Sequence, residues 1–375
     1  SPKEILTDNI DDILKDDSIK IVIELIGGCD EAKQYMIRAM KAKKHIVTAN
    51  KLVIATWGEE LFKIAEEEKV LLYYEASVAG GIPIIREIKE SLTANRIHQI
   101  IGIVNGTTNY ILSKMTNDGI SFDEALREAQ EKGYAEVDPT SDVDGYDAVY
   151  KLAIMASLSF GTKINHDDIY REGISNISAK DIEYAKKFGY TIKLLAIAKE
   201  ENNKLELRVH PTFVPSSNPM ANVNDVFNAI MIKGNAVGDL MLYGRGAGDL
   251  PTGSAVVGDI ISILRNNIKP VSIIDFNEKA DFKEIKKPEQ NESEFYIRLN
   301  IKDKVGVLGD MATIFGENNV SIRSVTGDVN HDDHSPLGFI THKSLEKNIK
   351  NSLEKIKELE NVNKIESIIR IESFN

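Results

Sequence analysis

Short apolar runs alternate with helical periodicity in the first 75 residues. Residues 19–26 form a run rich in β-branched side chains, and the apolar residues that follow it recur at helical spacing: Ala32, Met36, Ala39 and Met40. The same alternation continues with a run at 45–49, a helical pattern at 57–69 and a run at 70–74. Strands that are apolar throughout, separated by helices, predict a parallel β-sheet covered on both faces.

The start of this unit differs from a complete dinucleotide-binding sheet. Such a sheet opens with a strand, a Gly-x-Gly-x-x-Gly loop and a helix, whereas the first fifty residues contain no such loop. The acidic segment 8–17 is predicted to be helical instead. We therefore expect an incomplete, doubly wound, Rossmann-like α/β unit, in which the first strand and its glycine loop have been removed or are not resolved.

A second unit of α+β type is expected from residue 97 onwards. Asn105-Gly106 is a turn dipeptide, and Thr107 is placed to cap a helix that runs to residue 115. Ser121 and Glu124 have the spacing of a capping box. Antiparallel pairing is favoured by the strand patterns at 97–104, 191–199, 204–212, 228–233 and 239–243.

A third unit follows the charged segment 279–293, whose composition is typical of a linker. Its predicted order is strand, helix, two strands, helix and strand, at 295–301, 307–318, 320–326, 337–342, 345–359 and 362–371. This βαββαβ order is the ferredoxin-like split motif.

Composition excludes several classes of function. The 375 residues are enough for two or three domains, and the formal net charge of −12 disfavours binding to nucleic acid. No window approaches the roughly 18 apolar residues of a membrane span, so we expect no membrane partner. The single cysteine, Cys29, allows no intrachain disulfide, and the first residues lack the pattern of a secretion signal. A reducing, cytoplasmic location is expected.

Charged residues follow the predicted strands of the first unit at the edge where ligands bind in open parallel sheets. Gly27 and Gly28 follow the first strand, Lys51 follows the second, and Glu75 follows the third. The alternative, that Lys51 and Glu75 are solvated loop charges, is weighted equally.

The clearest chemical signal is a lysine inside an apolar helix. Residues 148–160 contain one charge, Lys151, and a helix that is apolar on every side is predicted to be buried. Asp147 lies one turn earlier on the same face and is the expected partner. The preceding loop carries three carboxylates, Glu136, Asp138 and Asp142. Together they suggest a pocket for a small cationic polar substrate beside an acid–base lysine, although Asp142 could equally be a helix cap.

A glycine-rich segment at 244–253 is predicted to join a strand to a helix at 254–266. Backbone N–H groups in such a loop can contact a nucleotide. A plain hinge between domains is nearly as well supported.

Taken together, the motifs closely resemble those of the homoserine dehydrogenase family. They are VIELIGG (22–28), TANK (48–51), EASVAGGIPI (75–84), NGTTNYIL (105–112), GYAEVDPTSDVDGYDAVYKLAIMA (133–156) and GRGAGDLPTGSAVVGDI (244–260). The C-terminal unit resembles an ACT regulatory domain. The resemblance covers most of the chain, and its departure is the absent glycine fingerprint.

The resemblance implies reversible hydride transfer between NAD or NADP and the pair L-homoserine and L-aspartate 4-semialdehyde. It assigns Lys151 as the proton donor, places Lys51 beside cofactor and substrate, and makes Glu136 and Asp147 the substrate-binding carboxylates with Asp142 in support. The implied cofactor contacts are Gly27, Lys51, Ser77, Gly133 and Gly246. A monovalent cation, sodium or potassium, is implied at the Glu75 carboxylate and the carbonyl groups of Val78, Gly80 and Ile82.

The implied domains are a partial dinucleotide-binding domain (1–80 and 245–268), a catalytic and dimerisation domain (81–244) and an ACT domain (293–375). By this resemblance the loop 303–309 binds an amino-acid effector, threonine, in a homodimer or homotetramer. Two alternatives stay open: another amino-acid or 2-oxo-acid dehydrogenase, and a non-catalytic amino-acid-sensing protein.

Overall fold

A computed structural model describes residues 6–265, 283–302, 304–327 and 335–374. Parts of the predicted features lie outside the described residues. They are residues 1–5 and 266–268 of the predicted nucleotide domain, including the last residue of its predicted helix, residues 279–282 of the linker, and Asp303, residues 328–334 and Asn375 of the C-terminal unit. Among the described helices, none is long and apolar enough to cross a lipid bilayer.

The first unit is a three-stranded parallel sheet with helices, as predicted. Its elements are α1 (Ile10–Lys15), β1 (Ile21–Glu24), α2 (Asp30–Lys41), β2 (His45–Thr48), α3 (Lys51–Glu68) and β3 (Leu72–Tyr73), with the strands in the order β1-β2-β3. Helix α3 begins six residues before the predicted start because the Asn50 side chain accepts a hydrogen bond from the Val53 N–H at 3.2 Å. This cap makes Lys51 the first residue of α3, at the carboxyl end of β2.

The second unit is built on a largely antiparallel sheet. Its elements are α4 (Ile84–Arg86), β4 (Ile97–Ile103), α5 (Gly106–Asp118), α6 (Phe122–Glu131), α7 (Thr140–Val143), α8 (Tyr146–Phe160), β5 (Tyr170–Arg171), α9 (Ala179–Lys187), β6 (Tyr190–Glu201), β7 (Lys204–Pro215), β8 (Phe227–Gly234), β9 (Gly238–Arg245) and α10 (Asp249–Arg265). The strands follow the order β7-β6-β4-β8-β9, and β5 pairs with β7.

Two local predictions in this unit were wrong and one is confirmed. Asn105, not Thr107, caps α5, and the Thr107 hydroxyl instead donates to the carbonyl oxygen of Tyr134 at 2.6 Å. Helix α10 begins at Asp249, five residues before the predicted start at 254. Pro251 lies in its first turn, where proline is tolerated, so the glycine-rich loop is shorter than predicted. Ser121 caps α6 as expected.

Helix α10 returns to the first sheet. Its Val256 and Ile263 form one buried apolar cluster with Val47 of β2 and Leu71. Burial of this kind provides most of a helix's stability, so α10 is anchored to the nucleotide-type sheet although it follows the second sheet in the chain.

The third unit has the predicted βαββαβ order. Its elements are β10 (Glu284–Ile285), β11 (Glu292–Ile301), α11 (Val307–Glu317), β12 (Ile322–Gly327), β13 (Ser335–Thr341), β14 (Ser344–Leu345), α12 (Glu346–Lys357) and β15 (Val362–Ile371), with the main strands in the order β12-β13-β11-β15. Strand β15 also pairs in parallel with β7, so that Arg370 is opposite Thr212 and Ile371 is opposite Phe213. The second and third units therefore share one continuous sheet.

Candidate active site

One aspartate holds two lysines where the first two units meet. The Lys151 Nζ atom donates to Asp147 Oδ2 at 2.7 Å and to the carbonyl oxygen of Val104 at 2.8 Å. The Lys51 Nζ atom, from the first turn of α3, lies 2.8 Å from Asp147 Oδ1. The predicted Asp147–Lys151 pair is confirmed, and Lys51 joins it from the other unit. We call these three residues the lysine–aspartate cluster.

The sequence around α8 explains this placement. Gly145 precedes the helix with a φ of +84°, a conformation in which glycine carries no steric penalty. Asp147 and Lys151 are four residues apart and therefore share one helix face. Apolar residues surround them, and both side chains are buried.

Electrostatic pairing outweighs burial at Asp147. Burial opposes ionisation, but the adjacent charges and hydrogen bonds of Lys151 and Lys51 hold the pKa of Asp147 well below its usual range. At Lys51, burial lowers the pKa, while attraction to Asp147 and, more weakly, to Asp142 and Glu136 raises it above the usual value on balance. Asp147 is thus a fixed negative charge, and Lys51 stays protonated near neutral pH.

Asn105 is a site residue that the sequence analysis missed. Its Nδ2 atom donates to Asp142 Oδ1 at 2.6 Å and to Asp147 Oδ2 at 2.9 Å, while its Oδ1 accepts from the Thr108 N–H at 2.8 Å. Because Asn105-Gly106 is also a common turn dipeptide, the helix-capping role was not recognised. The signal that could have found it is an asparagine directly after a buried strand and directly before a helix.

Asp142 does not cap α8, which corrects one of the alternatives left open above. The position before α8 is occupied by Gly145 without a side-chain hydrogen bond, and Asp142 lies inside α7. Burial raises the pKa of Asp142, although the hydrogen bond from Asn105 opposes this. Asp142 therefore adjoins the lysine–aspartate cluster through Asn105.

The other two predicted carboxylates lie at the exposed rim. Glu136 is exposed, and its main-chain oxygen accepts from Gln130 Nε2 at 2.9 Å. Its carboxylate is near enough to Lys51 to raise the pKa of that lysine. The Asp138 carboxylate instead accepts from the Thr140 N–H at 3.1 Å and from its hydroxyl at 2.6 Å. Asp138 is thus committed to a local turn, whereas Glu136 is not.

The predicted cofactor positions have different surroundings. Gly27 and Gly28 both have a φ of +71° and are exposed, and the Gly28 carbonyl accepts from Asn50 Nδ2 at 2.9 Å. Gly133 is exposed at the end of α6, with a φ of +73°. Ser77 is buried, and its hydroxyl and its N–H both donate to the Tyr74 carbonyl oxygen, at 2.6 and 3.0 Å, so both of its donors are already used.

Gly246 lies in a backbone-to-backbone contact. A Cβ atom on Gly80 would lie 2.5 Å from the Gly246 carbonyl oxygen, and one on Gly246 would lie 1.8 Å from Asn228 Nδ2. Neither position has room for a side chain. The turn at 78–82 and the shortened glycine-rich loop are therefore packed together. Gly27 and Gly28, by contrast, present exposed backbone at the end of a different strand, β1.

The implied cation region contains a buried carboxylate with backbone partners. Glu75 Oε1 accepts from the Ile85 N–H at 2.8 Å and Oε2 accepts from the Arg86 N–H at 2.9 Å. Burial, with a contribution from Asp259, raises the pKa of Glu75 to about 7, and burial raises that of Asp259 to about 6. The Ile82 carbonyl already accepts from the Ile84 N–H at 2.8 Å.

Carbonyl groups would have to complete any cation site there. Within the described ranges, no three His, Cys, Asp or Glu side chains are grouped so that they could hold a metal ion. Oxygen donors around two buried carboxylates are nevertheless the chemistry that a hard cation prefers. The residues present therefore fit a monovalent cation better than a transition metal.

Three family models match the chain in consecutive segments. They are described as "Homoserine dehydrogenase, NAD binding domain" at residues 1–75, "Homoserine dehydrogenase" at 83–261 and "ACT domain" at 295–361. The first and second boundaries fall between β3 and β4, and the third model begins inside β11.

Curated relatives and solved structures agree with these models. A homoserine dehydrogenase of Bacillus subtilis is 40% identical over 373 residues, which covers 99% of this chain and 86% of the relative. One of Synechocystis is 44% identical and covers 99% of this chain and 88% of the relative. The crystal structure of a homoserine dehydrogenase from Thiobacillus denitrificans matches with a TM-score of 0.93 at 41% identity, over 98% of this chain and 85% of that one.

Proposed function

Because the chain belongs to the homoserine dehydrogenase family, oxidoreductases of amino-acid biosynthesis with a nicotinamide-binding domain, we propose that its lysine–aspartate cluster interconverts L-homoserine and L-aspartate 4-semialdehyde. The observation that carries this assignment is the pair of lysine ammonium groups on one buried aspartate. Reduction of an aldehyde places negative charge on its oxygen, and such a cluster can neutralise that charge.

Lys151 is the proton donor in this mechanism. Two of its three N–H donors are used, by Asp147 and by the Val104 carbonyl, and the third has no protein partner among the described residues. The bound nicotinamide supplies or accepts the hydride. During reduction Lys151 gives its proton to the substrate oxygen, and during oxidation it takes the proton back. Asp147 stabilises the ammonium form without itself taking the proton, because its pKa is low.

The resemblance implies Glu136 and Asp147 as the groups that bind the substrate ammonium, with Asp142 in support; in this proposal Asp142 and Asp147 exchange those roles. Asp147 accepts from Lys51, Lys151 and Asn105, so three of its roughly four acceptor positions are used. Glu136 has no ion-pair partner closer than 4 Å within the part of the chain that the structure describes, and Asp142 is held by Asn105. A substrate ammonium between them would neutralise charge at the rim.

The cofactor, NAD or NADP, is bound by backbone groups and by Lys51. Gly27 and Gly133 offer exposed backbone without side-chain obstruction. Gly246, which is buried against Asn228, and Ser77, whose N–H and hydroxyl are both bonded to Tyr74, line the site. The nucleotide domain comprises 1–80 and 245–268, since α10 is anchored on its sheet. The catalytic and dimerisation domain comprises 81–244.

Sodium or potassium binds near the Glu75 carboxylate with the carbonyl groups of Val78, Gly80 and Ile82. This proposal is supported by the burial of Glu75 beside Asp259, which places acidic groups where a cation would stabilise their charged forms.

The ACT domain, 293–375, binds a free amino acid, with threonine as the first candidate, in a homodimer or homotetramer. Gly306 has a φ of +95° and precedes the 11-residue helix α11, whose N-terminal N–H groups attract a carboxylate. Threonine titration should inhibit the whole protein and lose its effect in Gly306→Ala, in which the loop backbone is strained. Equal inhibition of both proteins would place the effector elsewhere.

The activity is tested by following nicotinamide absorbance with L-homoserine and with L-aspartate 4-semialdehyde. Turnover of these two compounds, and not of other amino acids or 2-oxo acids, is the expected result. Preference for another substrate would favour the alternative dehydrogenase. Binding of an amino acid without turnover would favour a sensing protein.

A further inference from the structure

Strand β5 and the two residues after it lie between the ACT domain and the start of α8. The strand pairs in parallel with β7, with Tyr170 opposite Arg208 and Arg171 opposite Val209. The pairing continues beyond the strand, where the Glu172 N–H donates to the Val209 carbonyl oxygen at 2.8 Å. Side chains alternate along an extended segment, so its neighbouring residues face different partners.

On one side, the segment is held by Arg370 of β15. The guanidinium donates to the Tyr170 hydroxyl at 3.0 Å and to Glu172 Oε1 at 2.9 Å, and it also binds Glu346 through Nε at 3.1 Å. Its side chain is only 5% exposed. Arginine presents several donors in a fixed plane, which is why one ACT residue can hold two residues of this segment at once.

On the other side, Arg171 contacts the residues that precede the lysine–aspartate cluster. Its guanidinium carbon lies 3.6 Å above the ring centre of Tyr146, the first residue of α8. The same guanidinium donates to the carbonyl oxygen of Asp144. Asp147 is the next residue after Tyr146, so Arg171 contacts the Asp144 backbone and the Tyr146 ring, one on each side of Gly145, where the chain enters α8.

Backbone contacts reinforce this arrangement. The Ile174 N–H donates to the Val143 carbonyl oxygen at 2.8 Å. A Cβ atom on Gly173 would lie 2.5 Å from that oxygen and 2.7 Å from Asp144 Cα. The segment is therefore in direct contact with the turn between α7 and α8, without space for a larger residue.

We propose that Arg171 is a positioning residue of the reaction, which sets the start of α8 and thereby the Asp147 carboxylate between the two lysines, and that Arg370 connects the ACT domain to this arrangement. The inference rests on the proposed role of the lysine–aspartate cluster. Arg171 does not touch that cluster; it acts through Tyr146 and Asp144. A small displacement of Asp147 would weaken its contact with one lysine or the other, since each lies within 2.8 Å.

The first test compares Arg171→Met with Arg171→Lys, and uses Arg127→Met, on an exposed position of α6, as the control. Loss of a stacked cation should lower kcat by about 5- to 30-fold at an unchanged KM for the cofactor. The lysine variant keeps the charge over the ring and should recover part of that loss, whereas the control should match the parent protein. A purely structural role for Arg171 would lower the melting temperature and leave kcat per folded molecule unchanged, which would overturn the proposal.

Tyr146→Leu removes the other half of the stacking contact. If Arg171 acts through Tyr146, the double variant Arg171→Met/Tyr146→Leu should lose no more activity than the more damaged single variant. Multiplied losses in the double variant would show that the two residues act separately and would contradict the proposed route.

The link to the ACT domain is tested with Arg370→Lys, which keeps the charge but cannot reach Tyr170 and Glu172 together. It should lower kcat two- to fivefold in the parent protein, on the scale of one weakened hydrogen bond, and have no effect when Arg171 is already methionine. An equal effect in the parent protein and in Arg171→Met would show that Arg370 does not act through Arg171. Lys151→Ala serves as the reference. If Lys151→Ala retains full activity, the proposed function fails. If Lys151→Ala is inactive while Arg171→Met keeps the activity of the parent protein, only the positioning role of Arg171 is overturned.

Discussion

The lysine–aspartate cluster and the charges where β7 adjoins β15 both contain buried charged groups, but their charges are matched differently. At the second place, which we call the junction cluster, Lys199 pairs with Glu372 at 2.7 Å and Arg208 pairs with Glu206 at 2.6 Å. These are two cations and two anions. In the lysine–aspartate cluster, two ammonium groups share one directly bonded carboxylate.

Exposure separates the two clusters further. The Lys51 side chain is 40% exposed, whereas those of Arg208 and Glu372 are 3% and 5% exposed. A buried charge is tolerated best when it is paired and hydrogen-bonded. Every charge of the junction cluster has an opposite charge within 4 Å inside the protein, although Arg208 Nε has no hydrogen-bond partner among the described residues. The lysine–aspartate cluster keeps one ammonium group, that of Lys51, within reach of solvent, which suits a site whose substrate is proposed to develop negative charge during the reaction. Exposure and one-to-one pairing of charges therefore distinguish the junction cluster from the proposed catalytic cluster.

The largest expected effect is on turnover in Lys151→Ala. A positioned acid contributes roughly 10²- to 10⁴-fold to the rate, so kcat should fall by that factor. Asp147 would still be paired with Lys51, so the protein should stay folded with a melting temperature close to that of the parent. Lys163→Ala, at an exposed lysine paired with Glu59, is the matched control. A kcat close to that of the parent protein would exclude Lys151 as the proton donor.

Arg208→Met should have the opposite signature. It leaves Glu206 buried without its partner, and breaking a buried pair costs about 3–5 kcal/mol of unfolding free energy. Denaturant unfolding measures this loss, and kcat per folded molecule should be retained. If kcat falls while the unfolding free energy stays constant, the distinction between the two clusters is wrong.

A smaller effect is expected at the rim, in Glu136→Gln. Removing the charge should raise KM for homoserine about tenfold, the effect of losing one charge-assisted hydrogen bond in a partly solvated place. KM for the cofactor should change little. Asp138→Asn is the control, because Asp138 is in the same exposed loop but bonds to Thr140. Equal KM values for homoserine in the parent protein and in Glu136→Gln would show that Glu136 is a solvated loop charge that does not bind the substrate.

The sequence predicted the parts of the site that local rules determine. Asp147 and Lys151 could be paired from their spacing on one apolar helix, and Lys51 could be placed because it follows a buried strand. The role of Asn105 was missed because the same dipeptide also forms turns. Short-range patterns identify which residues share a helix or a strand end, and they fail where two local structures compete.

Long-range contacts could not be predicted in this way. The hydrogen bond from Arg370 to Glu172 joins residues 198 positions apart, and nothing in either segment indicates the other. The pairing of β15 with β7 is equally invisible, since both segments simply have the composition of strands. The order of elements in the ACT domain was predictable, whereas its attachment to the catalytic sheet depends on packing between distant segments.

The smallest predicted effect concerns the buried acidic groups near α4, Glu75 and Asp259, of which Asp259 lies 3.4 Å from the Arg86 guanidinium. Burial raises the pKa of Glu75 to about 7 and that of Asp259 to about 6. Raised values mean that the folded protein binds more protons than the unfolded one, so these groups make stability fall as pH rises from about 4 to 7. A bound potassium ion should offset that loss by about 1.4 kcal/mol at ten times its Kd.

Thermal unfolding in potassium chloride and in choline chloride of equal ionic strength measures this effect. The melting temperature should be higher in potassium at pH 8, where Glu75 is ionised, and the difference should shrink at pH 5.5, where protons replace the cation. Glu75→Gln should remove the potassium effect at both pH values. A potassium effect of the same size at pH 5.5 and pH 8 would mean that the ion binds elsewhere, because Glu75 and Asp259 lose much of their charge across that interval.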